Sequence, residues 1–286
     1  MINALIAFLF CSLIGVALKL IDDQIPVQQV VSLRFTLGFF ILYLYYPTKK
    51  RQTFFSNLVE PAIFLRAFFG LCAFACFAYS IKYMSLSVWT AIQFTNPLML
   101  ALLAAIFLNE RIPLLRYVAI AAGFAGVVIA TNPFNQAKFD NIDKILPIFF
   151  LLLGCLSAAL SDIFVKKLSL KYDSQTIVLA YCFFASLIIA PFSILTWEPP
   201  SLWCWLLIVV VAMLGVLFQL FLTNALAIIP ASLVACLSYT SIIWSLLFGL
   251  IIFAEIPTTR ELVGILFIMV DAFLAFTGNY FKPRKI

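Results

Sequence analysis

The chain has 286 residues, of which 65% are hydrophobic and only 10% charged, with a mean hydropathy of +1.14. A soluble domain carries about 25% charged residues, so the composition excludes a soluble globular protein and requires an integral membrane protein. The net charge of +6 is not a nucleic-acid signature, because the basic residues sit in short loops and never cluster on a soluble face.

A membrane-spanning helix needs about 20 apolar residues. Ten stretches qualify, at roughly 2–21, 28–47, 61–82, 86–108, 114–131, 145–168, 174–196, 202–227, 231–253 and 259–281. Pro, Asn, Asp and basic residues punctuate them, and no soluble domain fits between them. The first run lacks a charged leader and a small-residue cleavage site, so it reads as a retained helix. The fifth stretch, with GFAG at Gly123 to Gly126, reads as a close-packing helix. All seven Cys (Cys11, Cys72, Cys76, Cys155, Cys182, Cys204 and Cys236) lie inside apolar runs without a CxxC pair, and there is no His. They read as packing residues. No nucleophile–base constellation, metal-spaced ligand set or phosphate loop exists, so the expectation is no enzyme, no metal and no cofactor.

Sliding the sequence onto itself by 145 positions aligns Ser87 with Ser232, Thr95 with Thr240, Leu102 with Leu247, Ile106 with Ile251 and Glu110 with Glu255. Phe94 meets Tyr239. With Arg111 dropped, Ile112 falls on Ile256, Pro113 on Pro257 and Arg116 on Arg260. This reads as an internal duplication, with one half at 1–135 and the other at 136–286. With the N-terminus inside, inner loops carry Lys49, Lys50, Arg51, Arg111, Arg116, Lys166, Lys167, Lys171, Lys282, Arg284 and Lys285; outer loops carry Lys19, Lys82, Lys138, Lys144 and Arg260. Eleven against five places both termini in the cytoplasm. Five helices per half is an odd number, so the second half enters the membrane upside down. The expected architecture is therefore all-α, with ten transmembrane helices in two inverted five-helix repeats, the plan of secondary transporters.

Ionisable and polar groups at membrane depth are the candidate functional residues. Arg34 reads as a cation for a substrate carboxylate or as a structural partner. Arg66 lies near the inner edge and reads as a snorkelling side chain. Asp162, followed by Lys166 at i+4, reads either as a substrate contact or as an intrahelical ion pair, and Asp271 falls near the middle of the last helix. On the fourth helix, Trp89, Gln93 and Asn96 share one face. Pro97 lacks an N–H, so the Gln93 carbonyl loses its helical partner; such backbone is tolerated where it lines a cavity or is covered by protein. Tyr79, Gln219, Asn224, Tyr239 and Trp244 add aromatic and amide surface. Glu110 and Glu255 end their helices, where a carboxylate is unfavourable. Arg116 and Arg260 are the nearest compensating charges, and the four read as gates or as interface anchors.

Arg34-Phe35, Arg66, AYSIKY at 78–83, Asn96-Pro97, the LNE of Leu108 to Glu110, GFAGVVIATNP at 123–133, AIIPAS at 227–232 and FAEIP at 253–257 together resemble the EamA-type drug/metabolite transporter superfamily. The similarity covers essentially the whole chain. SDIFVKKLSLKYDS at 161–174 and LRAFFGL at 65–71 are similar to its bacterial S-adenosylmethionine uptake branch. Pro97 departs from the duplication, since Ile242 stands at its counterpart. The resemblance implies alternating access around a central pocket, with a small-molecule substrate and the bilayer of the bacterial inner membrane as partners, and it allows a homodimer through the fifth and tenth helices. Trp89, Tyr239 and Trp244 would face the adenine and sulfonium, Arg34 the carboxylate and Asp162 the ammonium. Within the same superfamily, an amino acid or metabolite exporter is the alternative. A non-transport structural membrane protein and an intramembrane enzyme are the alternatives outside it.

The loop charges make a direct prediction. A reporter active only in the cytoplasm, fused after Ile286, should be active; one active only in the periplasm should not. The reverse pattern would overturn the orientation.

Overall fold

The computed structural model describes residues 1–21, 25–47, 54, 58, 60–81, 83, 92–110, 114–131, 145–253, 259, 262–264, 266–267 and 269–270. Every regular element among the described residues is a helix. In chain order they are α1 (Ile2–Ile21), α2 (Val27–Tyr45), α3 (Pro61–Ile81), α4 (Asn96–Phe107), α5 (Leu114–Thr131), α6 (Ile145–Leu168), α7 (Ser174–Leu195), α8 (Leu202–Ile228), α9 (Ala231–Ser238) and α10 (Thr240–Phe253). Residues 259, 262–264, 266–267 and 269–270 are also helical. α6, α7, α8 and the stretch Ala231–Ile252 are long and apolar enough to cross a membrane.

The helices follow the apolar runs closely, and two departures carry information. The stretch expected as one fourth helix has a turn at residues 94–95, with helical residues 92–93 before it and α4 after it. The stretch expected as one ninth helix is interrupted at Tyr239, between α9 and α10. Phe94 and Tyr239 are the two aromatics that the 145-residue offset aligns.

The chain forms two compact units. One comprises Met1–Leu71 and Phe164–Ile228; the other comprises Cys72–Ile163 and Ile229–Ile286. In the first unit, α1 packs along α8, and α2 packs on α7 and α8. Ile14, Ala17 and Ile21 of α1 meet Cys204, Leu207, Ile208 and Val211 of α8, all buried. The i, i+3, i+4, i+7 spacing on α8 is one helix face. Lipid is as apolar as Leu, so such faces join by close packing and not by escape from water. Gly38 of α2 serves that purpose, since a Cβ there would lie 3.2 Å from Val216 and 3.6 Å from the Cys182 sulfur. At the end of this unit, the Glu60 carboxylate before α3 accepts hydrogen bonds from Lys171 (2.8 Å) and Tyr172 (2.5 Å) in the α6–α7 connection. These bonds hold the Glu60 carboxyl below its ordinary range and raise the Lys171 ammonium and the Tyr172 phenol.

In the second unit, α9 packs on α4 and α5. Outward side chains are large and apolar, including Leu44, Ile106, Leu187 and Ile251, which suits a lipid-facing surface. All seven cysteines are free thiols.

The close-packing reading of α5 has a specific partner. A Cβ at Gly123 would sit 2.5 Å from Cδ2 of Tyr239, a ring that is fully buried. Gly123→Ala should therefore destabilise the protein by about 1–3 kcal/mol through overpacking, read as detergent-solubilised thermal unfolding. Adding Tyr239→Leu should recover part of that loss. Equal stability of Gly123→Ala and wild type would overturn the contact.

Candidate functional site

The turn at 94–95 exposes backbone groups that an unbroken helix would pair. Each has a partner. The Ile92 carbonyl accepts from the Thr95 N–H (2.9 Å) and the Thr95 hydroxyl (2.7 Å), and the Thr95 carbonyl accepts from the Met99 N–H (3.0 Å). The Gln93 carbonyl, orphaned by Pro97, takes the Cys155 thiol of α6 at 3.5 Å. In return, the Asn96 side-chain amide donates to the Cys155 carbonyl at 3.2 Å. Tyr239 stacks on Phe94 with ring centroids 5.7 Å apart, and its hydroxyl donates to the Phe94 carbonyl at 3.3 Å. The two breaks therefore rest on one another. Cys155 is a packing residue with a further role as a weak donor, which composition alone did not indicate.

Gln93, Asn96 and Trp244 are half-buried. The Trp244 indole N–H is buried and has no hydrogen-bond partner among the described residues, which leaves a strong donor in an apolar setting. Tyr239 is covered by Phe94 on one side and Gly123 on another. Trp89, Glu255, Arg260, Asp271 and the side chain of Arg116 lie outside the described residues.

Glu110 has a partner that sequence proximity did not suggest. Asn109 adopts the left-handed conformation at φ 51°, which Asn tolerates better than most residues. This turns the chain at the end of α4, and the Glu110 N–H donates back to the Ala104 carbonyl (3.3 Å). The carboxylate then accepts from the N–H groups of Ala231 (2.9 Å) and Ser232 (3.3 Å) and from the Ser232 hydroxyl (2.8 Å). The negative charge sits at the N-terminus of α9, where the helix dipole favours it. A helix end 121 residues away thus supplies compensation for this charge.

A second polar region lies in the first unit, and sequence reading missed most of it. Arg66 does not snorkel to the membrane edge. It is 2% exposed, its guanidinium carbon lies 3.9 Å from the Tyr181 ring centroid, and its Nη2 donates to Gln219 at 2.8 Å. The reason is local: Gly70, one turn on, leaves room for Nη1, which would lie 2.6 Å from a Cβ. Tyr181 packs edge-on against Phe35 at 5.0 Å, and Arg34 lies 5.4 Å from the Phe35 ring. No sequence signal marked Tyr181; Gln219 was legible only as a lone amide in an apolar run. Lys166 donates to the Leu226 carbonyl near the end of α8, where a cation is favoured; Asp162, which belongs to the second unit, is half-buried on α6. A cleft of about 520 Å³ at the start of α7 is lined by Asp173, Ser174, Gln175, Leu220, Phe221 and Asn224.

The EamA-like transporter family matches residues 1–132 and again residues 145–277. The pseudopaline exporter of Pseudomonas aeruginosa is 24% identical over 274 residues, covering 93% of this chain and 92% of the exporter. The S-adenosylmethionine uptake transporter of Rickettsia felis is 24% identical over 270 residues, covering 93% of this chain and 89% of that protein. A protein of known crystal structure shares the fold with a TM-score of 0.82 at 17% identity, covering 96% of this chain and 95% of its own.

Glu110→Ala should cost about 1–2 kcal/mol of stability in denaturant unfolding, because two N–H groups and a hydroxyl lose a charged acceptor. Glu110→Gln should cost less, since an amide oxygen still accepts. No loss in Glu110→Ala would show that the contact does not hold α9.

Proposed function

The chain belongs to the EamA-like transporter family, a family of membrane transporters and not of enzymes, and from that premise we propose that it moves a small organic metabolite across the bacterial inner membrane by alternating access. Ten transmembrane helices in two inverted five-helix halves, at 1–135 and 136–286, provide the frame. The single observation that carries the reading is the pair of interrupted helices. Regular α-helical bonding tightens to a turn at Phe94–Thr95 and at Tyr239, with the backbone of Thr95 and Tyr239 still in the right-handed helical region, and Phe94 and Tyr239, 145 positions apart, each fall within one of the two family matches. Interrupted helices at corresponding places in two halves are the sequence-and-structure mark of a transporter binding site. Both termini are cytoplasmic on the loop charges.

S-adenosylmethionine is the substrate this reading favours. The support is the similarity to the uptake transporters of that compound and the chemistry of the side chains. The sulfonium and adenine require aromatic faces, for which Trp89, Tyr239 and Trp244 are the candidates; the unspent indole N–H of Trp244 supports its part. Gln93 and Asn96 contribute amides, Arg34 meets the carboxylate and Asp162 the ammonium. Glu110 and Glu255, with Arg116 and Arg260, gate the two faces; the hold of Glu110 on α9 supports the first of these. The fifth and tenth helices offer the surface for a homodimer. Export of an amino-acid-derived metabolite is the second reading, favoured by the similarity to the pseudopaline exporter.

Uptake of labelled S-adenosylmethionine by cells expressing the chain tests the assignment. Wild type should accumulate label above the empty-vector background. Asp162→Asn should reduce uptake about tenfold or more through loss of a charge-assisted contact, and Lys166→Gln should reduce it less. No uptake by wild type ends the substrate reading. Equal loss in both variants would favour an Asp162–Lys166 structural pair over binding.

A further inference from the structure

We propose that Arg66 and Arg34 together form a site for the carboxylate of an organic substrate, with Tyr181 and Gln219 as the residues that position Arg66. The proposal rests on the transporter reading and deepens it: the cargo must carry a carboxylate, and Arg66 is its principal ligand.

Four observations converge. First, both cations lie within helices and not at their ends. Arg34 is the eighth residue of α2 and Arg66 the sixth of α3. Arginine within an apolar helix bundle is costly and faces the bundle interior or a water-filled cavity, which makes it a candidate for a substrate pathway. Second, the two are joined through touching aromatics. Arg66 lies on Tyr181, Tyr181 meets Phe35 edge-on, and Arg34 lies by Phe35. Third, the backbone is shaped around each one. A Cβ at Gly70 would lie 2.6 Å from Nη1 of Arg66, and a Cβ at Gly215 would lie 2.8 Å from Nε of Arg34. Glycine inside a helix is unfavourable, yet α3 and α8 each place one where a guanidinium passes. Fourth, helices α1, α2, α3, α7 and α8 carry Lys19, Arg34 and Arg66 and no Asp or Glu in their sequences. α6, whose Phe164 stacks on Phe69 of α3, adds Asp162 together with Lys166 and Lys167.

The geometry favours a carboxylate. A guanidinium stacked on a ring has its plane fixed, so its edge N–H groups present a fork of defined direction, the arrangement that matches a carboxylate's two oxygens. Gln219 takes one Nη2 proton through its carbonyl oxygen and so sets the rotation of that fork. The apolar and aromatic walls, Phe35 and Tyr181, suit the carbon skeleton that a carboxylate brings and that inorganic phosphate lacks.

The test uses the purified full chain in detergent and labelled S-adenosylmethionine, competed by its decarboxylated form. That analogue keeps the sulfonium and the adenosine and lacks only the carboxylate. In wild type it should compete at least tenfold more weakly than the parent compound. In Arg66→Gln the parent should bind about tenfold more weakly while the analogue is unchanged, so the preference disappears. Gln219→Leu should shrink the preference without abolishing it, and Arg66→Lys should keep part of it. A purely structural Arg66 would weaken both compounds alike. Equal competition in wild type, or an intact preference in Arg66→Gln, overturns the site and leaves the transporter reading standing; the wild-type comparison decides even if the variant does not fold. If wild type binds neither compound, the substrate reading fails by itself, and the site is then judged by thermal unfolding with methionine, glutamate, citrate or phosphate at one ionic strength. A rise with a carboxylate that Gln219→Leu or Arg66→Gln diminishes supports it. A rise with phosphate alone, or with none of the four, overturns it.

Discussion

In a bilayer no water can satisfy a backbone N–H or C=O, so every interruption of a helix must be paired by protein. That constraint governs the structure around Phe94 and Tyr239. Pro97 removes one donor, and the Gln93 carbonyl turns to the thiol of Cys155. Asn96 reaches back to the Cys155 carbonyl, and Tyr239 covers the Phe94 carbonyl with its hydroxyl and the Phe94 ring with its own. A side chain, a thiol and a phenol do the pairing that helical periodicity supplies elsewhere. The broken segments are thereby held in one unit, and the same residues become the ones whose replacement alters the break.

Close approach is the second theme. Gly123 admits the Tyr239 ring, Gly70 and Gly215 admit the two guanidiniums, and at Gly154 a Cβ would come within 2.9 Å of Cys76 and Phe77. Helices in lipid gain little from burying apolar surface against one another, so packing density and satisfied polar contacts decide which faces meet. Glycines are the means by which bulky aromatic and cationic groups enter a helix bundle without displacing its backbone.

These two devices separate the polar groups by role. Glu110 is bound at a helix N-terminus and ties the end of α4 to α9. Lys166 is committed to a carbonyl of α8. Arg66 is different: it is oriented by a ring and an amide, both uncharged, so its charge is positioned without being neutralised by either.

The sequence by itself determined that this is a helical membrane protein, because composition and the length of apolar runs leave no other solution for the backbone. Helix limits such as 2–21, 61–82 and 145–168 followed from punctuation by Pro, Asn and charged residues. The 145-residue offset pointed to Phe94 and Tyr239 and to Glu110, and Pro97 announced an orphaned carbonyl at Gln93 within a fourth helix expected to be continuous. Nothing in the sequence announced the break at Tyr239, since Ile242 stands where a second proline would be; there the interruption is set by stacking on Phe94 and by the space at Gly123. The partner of Glu110 was equally hidden, because an N-terminus supplies charge through backbone dipoles that carry no residue label. Arg66 shows the same limit most sharply. Its position near a helix end suggested a side chain reaching for the membrane edge, and only the tertiary structure brings Tyr181 and Gln219, 115 and 153 residues distant, close enough to turn it inward.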